Sequence, residues 1–125
     1  MLAGCGGSHP LRPPTITETF TRLPCHRAGM STLNAEGCAE AQIVSSDRAI
    51  DAEAALVFTR LPKSARKGFV QSERSWLDYR RASCTAEAAR YAGGTLEPIA
   101  FAQCVAERNT RHLRDLLSMR AALRP

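Results

Sequence analysis

Apolar positions recur at helical spacing in three blocks of the chain, with helix-breaking residues between them. In the first block Ile43, Ile50, Ala54, Val57 and Leu61 follow at steps of seven, four, three and four, which is one stripe of an α-helix. Ser31-Thr32 offers an N-cap ahead of this stripe, and Pro62, lacking an amide proton, ends it. The second block predicts a helix from about Ser64 to Tyr91. Phe69, Trp76, Leu77, Ala88 and Tyr91 lie near one side of it, and Gly93-Gly94 supplies the stop. Gly68 is its weak point, marking a late start or a local bend. The third helix starts near Thr95 to Pro98, where proline is tolerated in the first turn. Its inner face is Ile99, Ala102, Val105, Ala106, Leu113, Leu116 and Leu123. With no strand pattern of substance, the expected fold is all-α, a small antiparallel bundle of about three helices.

The chain ahead of these blocks has a different character. Gly6-Gly7-Ser8, Pro10, Pro13-Pro14 and Pro24 cannot support a long helix and predict an extended tether. The expected organisation is therefore a start and tether over residues 1–24 and one helical domain over 25–125. A chain of 125 residues has room for a single core. Leu2-Ala3-Gly4-Cys5 reads as a lipobox, which makes Cys5 the expected site of lipidation and a membrane anchor. The basic and apolar segment that should precede a lipobox is then expected upstream of Met1.

Five cysteines leave one with a separate fate, and Cys5 is the candidate. The other four, Cys25, Cys38, Cys84 and Cys104, allow three pairings if oxidised. An antiparallel hairpin can bring Cys84 and Cys104 together, and a Cys25–Cys38 bond would pin the end of the tether to the first helix. Closing loops of this size stabilises a fold by roughly 2–3 kcal/mol each. Disulfides point to an oxidising compartment, the periplasm or outer envelope; buried reduced thiols in the cytosol are the alternative. None of the cysteines forms a C-x-x-C, so neither a zinc site nor a thioredoxin-like centre is expected.

Net charge is +5, but its distribution says more than its sum. Between Ser31 and Thr59 the acids Glu36, Glu40, Asp47, Asp51 and Glu53 face the single base Arg48, whereas from Arg60 to Arg90 the bases Arg60, Lys63, Arg66, Lys67, Arg74, Arg80, Arg81 and Arg90 outnumber Glu73, Asp78 and Glu87. The simplest expectation is two neighbouring helices with complementary surfaces. The sharper one is a nucleic-acid or anionic-lipid face; as an envelope scaffolding module, the alternative function, the basic helix with Lys63, Arg66, Lys67, Arg74 and Arg81 would meet anionic lipid, glycan or an acidic protein. Enzymatic chemistry has little support: His9, His26 and His112 are scattered, no serine sits in a nucleophile elbow, and no glycine-rich loop follows a strand. No cofactor, metal, nucleic acid or small-molecule substrate is expected. Trp76 lies two helical turns before Cys84, which predicts an aromatic packed beside a disulfide.

At that stretch the chain resembles the LprI-type lysozyme inhibitor domains of bacterial envelope proteins. The W-x-x-[YF]-R-x-x-x-C pattern of that family is met by Trp76, Tyr79, Arg80 and Cys84, and its Gly-Gly turn and following cysteine by Gly93, Gly94 and Cys104. Upstream, Cys25, Ala28, Glu36 and Cys38 match C-x-x-A and E-x-C, and Asp47, Ile50 and Asp51 match D-x-x-[LI]-[ND]. The likeness covers about Phe20 to Leu117. Glu73 departs from a usual glutamine, Ala54 from a usual aromatic, and Asp51 from the more usual asparagine. The resemblance implies a disulfide-bonded helical domain outside the cytoplasm, often lipid-anchored, that inhibits lysozyme by non-covalent binding. Lysozymes are commonly basic, so an inhibitor gains encounter rate from an acidic face. In this net basic chain Glu36, Glu40, Asp47 and Asp51 are the candidate contact residues.

Overall fold

The computed structural model describes residues 9–18, 20 and 23–123. Three helices account for most of them: α1 (Thr32–Arg60), α2 (Lys63–Ala88) and α3 (Glu97–Ala122). No strand occurs among the described residues. Ser31 caps α1, its Oγ accepting the Asn34 N–H at 3.0 Å. Pro62 holds an extended backbone between α1 and α2 and turns the chain. α2 runs unbroken through Gly68, which is exposed, and tightens into a 3-10 turn over Ala89–Tyr91. Gly93 then adopts φ +80°, the left-handed conformation that suits glycine, and α3 opens with Glu97-Pro98.

The helices run down, up and down, so α1 and α3 are parallel and begin at the same pole. α3 packs against both of its neighbours. Near the shared N-terminal pole of α1 and α3, Ala39, Ile43, Cys84, Ala102, Cys104, Val105 and Ala106 form one core cluster. At the other pole Ile50, Ala54, Val57, Phe69 and Leu116 form a second, with Trp76 and Leu113 against it. Between the two lies a polar layer of Asp47, Arg80 and Asn109, one residue from each helix and each at most 5% exposed. Disulfides Cys25–Cys38 and Cys84–Cys104 staple the first pole.

Part of the stretch expected as a tether lies on the bundle as an N-terminal strap, held through Ile16, Glu18 and Phe20. The Ile16 N–H donates to both carboxylate oxygens of Asp51 on α1 (3.1 and 3.3 Å), and Glu18 reaches Arg80 on α2. Ile16 packs on the second cluster and Phe20 on the first. Farther along, the backbone of Leu23-Pro24 presses against Gly37, where a Cβ would collide with the Pro24 carbonyl oxygen. Glycine is required there because the chain passes against the helix backbone itself.

Two expectations change. Trp76 does not pack beside the disulfide: it belongs to the second cluster, and the Arg80 layer separates it from Cys84. Its ring instead stacks on His112, with centroids 3.8 Å apart and planes at 11°. Nor do α1 and α2 meet through complementary charged surfaces. Asp47–Arg80 is the one ion pair joining them among the described residues, while Glu53 pairs with Arg120 of α3 at 2.6 Å. The reason is geometric, since α3 and the N-terminal strap supply most of what faces the inner side of each helix.

Candidate functional site

The polar layer is organised by a single guanidinium. Arg80 Nη1 donates to Asp47 Oδ1 and Asn109 Oδ1, both at 2.8 Å, and Nη2 donates to Glu18 Oε1 at 2.5 Å. Asn109 Nδ2 returns a bond to Asp47 Oδ1 and another to Ser46 Oγ, each 2.8 Å. One face of Arg80 lies over Trp76, 5.5 Å from its ring centroid. A charge taken out of water is tolerated when its hydrogen-bonding groups are met, and here strap, α1 and α3 all contribute. Beside this layer, burial pushes the Asp51 carboxyl up from its ordinary value, and the hydrogen bond from Ile16 opposes that shift. This arrangement ties strap, α1, α2 and α3 together through one guanidinium.

At the pole where α1 and α3 begin, the accounting is different. An open notch of about 360 Å³ lies between the first turns of α3, the end of α2, and α1. Phe20, Pro98 and Phe101 give it apolar walls, and Glu40 and Glu97 bring carboxyl groups to it. Glu40 Oε1 is buried with no hydrogen-bond partner. Burial pushes the Glu40 carboxyl above its ordinary value, and Glu36, one turn earlier, adds to the shift.

The expected contact residues therefore divide. Glu36 and Glu40 stand at this pole without an ion-pair partner among the described residues. Asp47 is buried and bonded to Arg80 and Asn109, which removes it from any contact surface, and Asp51 is engaged by the backbone of Ile16. Of the residues carrying the motif, Arg80 is the centre of the polar layer, Trp76 packs beneath it, Gly93 and Gly94 make the α2–α3 turn, and Tyr79 is 54% exposed. Cys5 lies outside the described residues. On the basic face Lys63, Lys67, Arg74 and Arg81 are exposed. Arg66 is spent at the end of α1, donating to the Leu61 and Thr59 carbonyls at 3.2 and 3.1 Å.

Glu97, Phe20 and Phe101 were not among the residues expected at a site. Glu97 and Phe101 sit in the first turns of α3, and only the packed bundle brings them to Glu40. Asn109 was also missed, although it carried a signal: it falls on the inner stripe of α3, between Val105 and Leu113. His112 is a satisfied, packed side chain, its Nε2 lying 3.0 Å from both Glu73 oxygens. Among the described residues no group of three or more His, Cys, Asp or Glu is placed to hold a metal, and no helix is long and apolar enough to cross a membrane.

Three helices, two disulfides at one pole and an arginine-centred polar layer define a small stapled helical domain. The chain matches the family described as Lysozyme inhibitor LprI over residues 25–116, and it belongs to that family. No curated protein and no solved structure matches it. The match begins at Cys25, so the strap that brings Glu18 to Arg80 and Phe20 to the notch lies ahead of the family region.

Proposed function

We propose that this chain inhibits a lysozyme by non-covalent binding and that it does so with the acidic pole, where Glu36 and Glu40 have no ion-pair partner among the described residues. Family membership supports the lysozyme partner. The observation that carries the choice of surface is the Glu40 carboxyl, whose buried Oε1 meets no donor among the described residues and has the Glu36 carboxyl beside it. A basic lysozyme surface would supply the missing charge and be steered toward it at low salt. Asp47 and Asp51 are left out of the proposed surface because both are engaged internally.

An address outside the cytoplasm, in the periplasm or outer envelope, with Cys5 as lipid anchor, is part of the same reading. Its support is the two disulfides, which suit an oxidising compartment. The test is to titrate the oxidised chain into lysozyme lysis assays at several salt concentrations. Inhibition that weakens as salt rises is expected, together with loss of potency on charge reversal at Glu36 and Glu40. No inhibition of any animal or bacteriophage lysozyme would sink the proposal.

A second reading has one observation in its favour. Lys63, Lys67, Arg74 and Arg81 are exposed along α2, and none has an ion-pair partner among the described residues. That stripe fits an anionic surface in a scaffolding module. Salt-sensitive binding to anionic vesicles, absent with neutral ones, is its expected signature.

A further inference from the structure

The notch at the acidic pole has the makings of a receptor for one particular side chain. Its walls are the phenylalanines Phe20 and Phe101 with Pro98, and its polar residues are Glu40, Glu97 and Thr85, the first two bringing carboxyls. The two acids come from different helices, α1 and α3, which begin at the same pole. Neither has an ion-pair partner among the described residues, and one oxygen of Glu40 is buried with no donor among them, only the Glu36 carboxyl acting on the same group. A buried acceptor left unmatched is costly, and a donor arriving from outside removes that cost. The donor must be cationic to answer two carboxyls, and flat and weakly hydrated to lie against aromatic walls. A guanidinium meets both conditions, whereas an ammonium is more strongly hydrated and cannot stack in the same way.

We infer that this notch binds an arginine side chain presented by a partner protein, with the guanidinium between Glu40 and Glu97 and its stem against Phe20 and Phe101. The inference rests on the inhibitor reading for the identity of the partner but not for the chemistry of the site. It also gives the strap a role in recognition, because Phe20 lies ahead of the family region and yet forms one wall.

The probe is Nα-acetyl-argininamide, titrated into the oxidised full chain while the methyl and aromatic signals of Ala88, Phe101 and Ala102 are followed by NMR. Saturable shifts confined to these residues, with a dissociation constant on the order of millimolar for a single side chain, are expected. They should vanish in the Glu40→Gln/Glu97→Gln variant and with the neutral isostere acetyl-citrullinamide. No saturable shift, or equal shifts with the neutral isostere, overturns the inference. A lysozyme assay separates it from the reading on which it leans. If the chain inhibits lysozyme, the double variant should lose about tenfold or more in potency while melting like the native protein. Equal potency would overturn the notch and leave the inhibitor reading standing. Specific arginine binding by a chain that inhibits no lysozyme would support the notch and remove the inhibitor reading.

Discussion

The polar layer and the acidic notch both draw carboxyl groups from two parts of the fold and differ in what answers them. Around Arg80, two carboxylates and an amide meet one guanidinium, and the bonds run between strap, α1, α2 and α3. At the notch, carboxyl groups from α1 and α3 share an apolar recess, and no cation of the chain pairs with them among the described residues. A matched buried charge resists change, because removing one partner strands the others. An unmatched one at a rim can be changed at little cost to the fold and is available to a ligand. The contrast separates residues that hold the domain together from residues able to serve a partner, although Asp47 and Glu40 read alike as acids on α1.

Substitutions should separate the two regions in order of size. Arg80→Met leaves Glu18 and Asp47 without their cation and should cost about 3–5 kcal/mol in urea unfolding; a loss under about 1 kcal/mol would mean that the layer is not the tie described. Replacing Cys84 and Cys104 together by alanine should cost about 3 kcal/mol on a chain-entropy basis, which reversible melts can measure. Glu18→Gln keeps the shape but removes the charge that the strap brings to Arg80. A loss of about 1–2 kcal/mol is expected, with faster proteolysis between Thr15 and Phe20. Unchanged cleavage would show that the strap is held by Ile16 and Phe20 alone.

The smallest effect should fall at the notch and have the opposite sign. Glu40→Gln should alter stability by no more than about 0.5 kcal/mol, in the stabilising direction. Its pH dependence is diagnostic. The folded chain holds the Glu40 proton more tightly than the unfolded chain, whose carboxyl keeps the ordinary value of 4.5. The stability linked to this group is therefore full below 4.5 and is lost as pH rises through the elevated folded value. The glutamine variant lacks that loss, so its advantage should be absent in acid and grow through that window. Destabilisation beyond about 1 kcal/mol would place Glu40 with the structural carboxylates instead.

Much of the scaffold was legible before any packing was known. The stripe from Ile43 to Leu61, Pro62 as a stop, the Gly93-Gly94 turn and the start of α3 near Pro98 all depend on neighbours a few residues away. The cysteine pairs were within reach for a related reason: they lie 13 and 20 residues apart, close enough for one turn or hairpin to join them. Charge patterning was the poorer guide. It put Asp47 and Asp51 on a surface and paired α1 with α2, because a list of charges along a chain does not say which way each side chain faces.

What the sequence determined by itself was thus the set of helices, their ends, the cysteine framework and the family motif, all of them local in the chain. The tertiary structure alone decided which acids are spent and which are left over. Asp47 meets Arg80 across 33 residues, and Glu18 meets it across 62. Pairings at such separations follow from which faces of three helices and a strap come together. A carboxyl group is held in the interior or left open to a partner according to whether that packing brings it a donor.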